Sequence, residues 1–200
     1  NNFVCADDGI LSVAYELNDN SKSPSYYSIV FDKFEQEAGF VDVLDEKIDS
    51  NNQNIDIVIP NNCRPNHYVA TIIFKDTISV CENLSFPVEF DVFYSSSILQ
   101  AKFGNMITVY DSAYNGGYAF SEYQWYENGE KLEGETKSFF VLGEDEHFLV
   151  GDCYYLEVRR KDDGVLMRTC DICPGGGTAV EDVYSLEPYI TPTILKSQQL

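Results

Sequence analysis

Alternation of apolar and polar positions dominates this chain, and alternation predicts strands. Leu11, Val13, Tyr15 and Leu17 recur at a strict period of two, and Tyr26–Phe31 follows a Ser/Pro turn at Ser21–Ser25. Ile55–Ile59 is stopped by Pro60, and Asn61-Asn62 turns the chain. Tyr68–Phe74 is the most apolar run and is expected to be a central strand. Phe86, Val88, Phe90 and Val92 alternate with Pro87, Glu89 and Asp91; Pro87, without an N–H, places this strand near an edge or at its start. No segment sustains a 3.6-residue apolar period over several turns. Only Phe31–Ala38, with Phe31, Phe34 and Ala38 spaced three and four apart, is given one or two helical turns.

A second set of strands is predicted at Ile98–Phe103, Met106–Tyr110, Tyr118–Tyr126, Ser138–Leu142, Tyr154–Arg160 and Val165–Thr169. In Tyr154–Arg160, Tyr154, Leu156 and Val158 share one face, and Tyr155, Glu157 and Arg159 the other. The single tryptophan, Trp125, stands among alternating aromatics just before Asn128-Gly129. Asn-Gly is favoured in two-residue type I′ turns, where both central residues need positive φ. The boundary between the two sets is drawn at Ser95–Ser97. The expectation is an all-β chain of two tandem sandwiches, residues 1–94 and 95–175, followed by a Gly/Pro-containing stretch, 176–200, with a possible strand at Tyr189–Leu195. That stretch is read as a tail, a linker or the start of a further module.

Composition supports strands: 14 Tyr and 13 Phe stand against 2 Met and 2 His. The formal charge is −20, from 33 acids and 13 bases, a field that disfavours nucleic acid and anionic membranes. No apolar run reaches the length of a membrane span, so neither nucleic-acid binding nor membrane insertion is expected. The N-terminus shows no basic-then-apolar signal, and a chain opening Asn1-Asn2-Phe3 is read as processed or trimmed. Acidic spots occur at Asp42, Asp45 and Glu46, at Glu144, Asp145 and Glu146, and at Asp162 and Asp163. None has EF-hand order, and no metal or cofactor is expected.

Six cysteines, an even count, suit an oxidising compartment and allow 15 full connectivities. Cys63 and Cys81 flank Tyr68–Phe74 and are expected to staple neighbouring segments of the first half. With a three-residue loop centred on Asp163, Cys153 falls opposite Cys173; a shifted register brings in Cys170 instead. Cys5 takes whichever cysteine is left, or none. Cys170-Asp-Ile-Cys173 precedes Pro174-Gly175-Gly176-Gly177, which cannot carry the helix of a thioredoxin-like pair, and no second Cys/His pair completes a zinc site. Structural bridges are the favoured reading.

Tyr114-Asn-Gly-Gly-Tyr118, Tyr123-Gln-Trp-Tyr126, Asn128-Gly129, Gly134-Glu-Thr136 and Gly151-Asp-Cys-Tyr-Tyr155 before Asp163-Gly164 are the pieces that carry a family likeness. With them, Phe93–Pro174 resembles the immunoglobulin-like modules of Bacteroidetes secreted and cell-surface proteins, and Trp125 looks like the strand-C tryptophan of that sandwich. One departure stands out: no cysteine lies between Ser95 and Trp125, so the antibody-type inter-sheet bridge is missing. The resemblance implies surface location, tandem modules and adhesion or spacer roles, with neighbouring domains of a larger surface protein as partners. It also implies a C-terminal sorting domain, of which 178–200 would be the start, and O-glycosylation at Asp76-Thr77-Ile78 and Asp111-Ser112-Ala113. Asn83-Leu84-Ser85 matches the N-glycosylation sequon.

Catalytic chemistry finds little footing. A Ser/His/Asp set needs a histidine beside its nucleophile, and only His67 and His147 exist, neither near a Gly-x-Ser-x-Gly elbow or a metal-binding His pair. Paired carboxylates are left open by 33 acids, and a hydrolase accessory unit stands as a third reading. Gly175–Gly177 leads into a Pro-containing stretch and makes no phosphate loop. Tyr26, Tyr27, Tyr114, Tyr118, Tyr123, Tyr126 and Tyr184 raise a carbohydrate-binding module as the alternative to a non-catalytic adhesion or display module. Tyr114, Asn115 and Tyr118 are the candidate ligand-binding residues, set in a loop freed by two glycines, for a glycan or protein ligand on a host or other surface.

Overall fold

The computed structural model describes residues 2–16, 24–49, 53–75 and 84–175. Its elements run β1 (Asn2–Cys5), β2 (Ile10–Ala14), β3 (Tyr26–Phe31), a short helix α1 (Lys33–Glu37), β4 (Val43–Lys47), β5 (Asn54–Val58), β6 (Asn66–Lys75) and β7 (Leu84–Phe93). After a 3₁₀ turn at Ser96–Ile98, capped by the Ser95 hydroxyl, come β8 (Leu99–Lys102), β9 (Met106–Val109), β10 (Phe120–Glu127), β11 (Glu130–Lys131), β12 (Phe139–Val141), β13 (Tyr154–Arg160) and β14 (Leu166–Arg168).

In the first half a five-stranded sheet, ordered β1-β7-β6-β3-β4, lies against the pair β2-β5. Period-two alternation supplies the core: Leu11, Ile55 and Ile57 from the pair meet Ile29, Phe31, Tyr68, Ala70, Ile72, Phe90 and Val92 from the larger sheet. The apolar run on β6 is central as expected, between β3 and β7. β1 covers only Phe90–Phe93 of β7, so Pro87 sits where that side of β7 has no paired neighbour, as a residue without an N–H requires.

In the second half a four-stranded sheet, β11-β10-β13-β14, faces a three-stranded one, β12-β9-β8. Trp125, fully buried on β10, shares a cluster with Ile107, Phe140, Leu156 and Val158, and its indole Nε1 donates to the Lys137 carbonyl at 2.9 Å. Asn128 and Gly129 turn the β10–β11 hairpin at φ 49° and 87°, both positive as the I′ reading demands.

The β13–β14 hairpin departs from the predicted register. Its ladder pairs Glu157 with Arg168 and Arg159 with Leu166, one residue out of the frame that sets Cys153 opposite Cys173. The frame recovers at Tyr154↔Ile172 because Cys170 and Asp171 together oppose Tyr155 alone, a bulge in the returning strand. Cys153 and Cys173 are consequently bonded. Cys170, released from the ladder, donates its N–H to Tyr94 and is bonded to Cys5.

Cys63 corrects the expected staple: it is a free, buried thiol. It precedes β6, whereas the β6–β7 connection begins after Lys75. A ten-residue strand, roughly 33 Å long, separates the two. Cys81 itself lies outside the described residues.

Candidate functional site

The predicted loop forms a tight turn around Asn115. That side chain is 3% exposed, its Nδ2 donates to the carbonyls of Tyr110 and Tyr118, and its Oδ1 accepts from the Tyr118 N–H. Asn115 therefore organises the loop, and its amide is committed to backbone. Tyr118 packs edge-on against Tyr94 and over Phe120, and burial raises its hydroxyl pKa. Tyr114 alone of the three points outward, at 75% exposed. Asp111, Ser112 and Ala113 form an exposed turn; Asp76-Thr77-Ile78, Asn83 and Tyr184 lie outside the described residues.

A shallow groove of about 580 Å³ lies on the outer face of the β10-β13-β14 sheet, lined by Glu122, Tyr123, Gln124, Tyr126, Glu157 and Arg159 among others. The register builds it. Glu122 faces Arg159, with their side chains 2.8 Å apart, and Gln124 faces Glu157. Tyr126 faces Tyr155, the rings stacked at 4.5 Å and 9°. Beyond Tyr155 the Arg168 guanidinium lies 3.5 Å from that ring's centroid and 5.0 Å from Phe93, which stacks on Phe3 at 5.1 Å. One series of flat side chains thus runs from the second sandwich onto the first. Tyr94 and Phe120 pack against the Tyr118 ring, whereas Tyr155 covers one face of Tyr126.

A polar cluster joins the two sandwiches. Arg160 is 1% exposed, and its guanidinium grips Asp163 through two bonds, Nε–Oδ1 at 3.0 Å and NH2–Oδ2 at 2.8 Å. It also donates to the Pro65 carbonyl of the first half and, at 3.4 Å, to the Tyr94 hydroxyl. Burial works to lower the Arg160 pKa, but the Asp163 hydrogen bonds and Tyr94 outweigh it, and the group stays firmly cationic. Arg64 pairs with Asp162 and, at 3.4 Å, with Asp163. Asp163 is held below its usual range by Arg160, and Asp162 by Arg64. Tyr94, buried here, has its hydroxyl pushed up to about 12 by burial, with Arg160 opposing. Tyr68 donates to the Arg64 carbonyl at 2.5 Å, and burial drives its pKa, like that of the Cys63 thiol, upward.

In the remaining acidic spots, Asp42, Asp45 and Glu146 are committed to local structure. Asp42 accepts the Phe31 N–H, Asp45 pairs with Lys75, and Glu146 accepts the Gly143 N–H. Cys5, Asp7 and Asp8 gather three potential ligand atoms, but Cys5 is in a disulfide, Asp8 caps the Cys5 N–H, and Asp7 accepts the Ser95 hydroxyl at 2.6 Å. This donor set does not fit a metal.

No family model and no curated protein matches the chain. Among solved structures it is similar to the fibronectin(III)-like modules of Clostridium thermocellum CbhA, at 11% identity over 86% of this chain and 85% of that one, TM-score 0.29. It is also similar to the N-terminal four Ig domains of Dscam1 isoform 6.9, at 14% identity over 84% of this chain and 42% of that one, TM-score 0.25. Scores this low leave the class to the strand order. In both halves the later strands take the order of C′-C-F-G, as β4-β3-β6-β7 and as β11-β10-β13-β14, against a sheet holding B and E. The chain is a tandem pair of immunoglobulin-like sandwiches, held by two disulfides of the kind that persist in oxidising compartments. No helix among the described residues is long and apolar enough to cross a membrane.

Proposed function

We propose that this chain is a non-catalytic, extracytoplasmic module, secreted or at a cell surface, that serves adhesion or structural display as one stiff unit. The observation that carries the reading is the junction. β7 ends at Phe93, in contact with the first half, and the next residue, Tyr94, is already in the second core and bridges Thr169. No linker intervenes, and the Cys5–Cys170 bond and the Arg160 cluster close the contact from either side. A unit fixed in this way holds whatever it carries in a constant orientation, the property a display or adhesion module needs.

The test has two arms. Small-angle scattering of the oxidised chain is expected to fit one rigid body; a profile demanding two independently moving bodies overturns the stiff-display reading. Binding to a glycan and extracellular-matrix array, with calcium and with chelator, tests adhesion. Saturable capture supports it, and none at high protein concentration removes it.

A second reading, glycan capture, is favoured by the groove on the second sandwich. Tyr126 stands beside Glu157 and the carboxamide of Gln124, whose Nε2 is held by the Trp125 and Leu132 carbonyls, a pairing of an aromatic ring with acceptor oxygens suited to sugar hydroxyls. Capture surviving both Tyr126→Ala and Gln124→Ala would remove that reading.

A further inference from the structure

Among the described residues three turns set two successive residues at positive φ, and in two of them the first residue is not glycine. At Asn128-Gly129 the angles are 49° and 87°; at Phe103-Gly104 they are 56° and 74°. Asparagine tolerates the left-handed region because its short polar side chain bonds locally, whereas a bulky aromatic there is an outlier. Phe103 is also 84% exposed. Its ring thus meets water from a backbone conformation that the same chain elsewhere gives to asparagine. Both costs fall together on one residue, the pattern of a side chain kept for a contact.

Phe103 has apolar company. The Phe148 N–H donates to the Gly104 carbonyl at 3.0 Å, tying the β8–β9 turn to the loop before β13. Phe103 and Leu149 each stand one residue from that bond, and Leu149 and Val150 are exposed by 67% and 83%. The chain leaves the second sandwich over this same loop: Gly175 lies so close to Leu149 that any Cβ there would overlap the Leu149 carbonyl. The sequence that follows Gly175, residues 176–200, includes Tyr184, Leu186, Tyr189, Ile190, Ile194 and Leu195.

We propose that the tip formed by Phe103, Leu149 and Val150 is a docking face for residues 176–200 of this chain, with Phe103 as its anchor. The contact is intramolecular, so its effective concentration is high and little apolar area is needed to hold it. It is independent of the adhesion and display readings.

The experiment uses the full chain. With Phe103→p-benzoylphenylalanine, illumination is expected to cross-link position 103 to a peptide from 183–195 of the same chain, in a yield unchanged by dilution. With Phe103→Asn, amides in 183–195 are expected to exchange about tenfold faster while those of β10 and β13 keep their rates. Exchange in 183–195 that is indifferent to Phe103→Asn, or no cross-link into that stretch, overturns the proposal. A cross-link to a second copy that fades on dilution overturns it also, and assigns the tip to self-association.

Discussion

Replacing Arg160 by methionine should loosen the junction more than it harms either sandwich. Methionine matches the length of the arginine stem and fills its apolar surroundings, so the loss is chiefly polar. The Pro65 carbonyl forfeits a charge-assisted bond, costing about 1.5–3 kcal/mol, and the buried Tyr94 hydroxyl forfeits a long one, about 1 kcal/mol or less. Asp163 contributes least: it is a third exposed, keeps the Val165 N–H, and is re-solvated. Together this is about 3 kcal/mol, a fall in Tm of roughly 6–12 °C for a chain of this size. Urea titration read by two probes is the assay. Trp125 is the one tryptophan and is buried in the second sandwich, so its fluorescence reports that half; far-UV circular dichroism reports both. In the parent the two curves are expected to coincide, and in Arg160→Met to separate. A loss below about 1 kcal/mol with curves still coincident would refute the assignment of Arg160 as a main polar link between the halves.

Three further outcomes follow from the same contacts. Cys5→Ser with Cys170→Ser opens a loop closed over 165 residues, which on the chain-entropy model removes up to about 5 kcal/mol; an unchanged urea midpoint would contradict the bridge's role. Asp162 and Asp163 have folded-state pKa values depressed by Arg64 and Arg160, so their stabilisation is present above the unfolded value, about pH 3.9, and is lost as pH falls through the folded ones. Asp162→Asn with Asp163→Asn should therefore flatten part of the acid limb of the urea midpoint and leave its slope near neutrality alone. The Cys63 thiol, buried and with its pKa raised by that burial, should resist an aromatic disulfide reagent in the native protein and react on unfolding. Cys81→Ser leaves one signal to follow, and immediate native labelling would contradict the burial.

The strands that face a core were legible because alternation records burial: β3 and β13 begin and end where the pattern puts them. β1, β4 and β11 were not, since short edge strands bury little and carry no such pattern; β4 is exposed along most of its length. The hairpin bulge was hidden because a one-residue slip depends on what the extra residue can reach, here Tyr94 and Cys5 from the other half. Asn115 was picked for its loop, but sequence does not distinguish a side chain that serves a ligand from one that satisfies backbone. Arg160 left a signal: it continues the Tyr154, Leu156, Val158 face, and a charge on an apolar face marks a buried partner. Asp163 stands three residues away in the same hairpin, but Pro65 becomes a neighbour only when the two sandwiches meet.

The Cys5–Cys170 bridge also fixes how the molecule bears load. Its Cα atoms lie 6.0 Å apart although 165 residues separate them in sequence. Tension applied before Cys5 and beyond Cys173 passes through sulfur and a few residues of backbone, bypassing nearly every hydrogen-bonded ladder of both sandwiches. While the bridge stands, pulling from outside can strip β1, which ends at Cys5, but cannot unravel the remaining strands, so the protein behaves under traction as a short covalent link with two folded bodies hung from it.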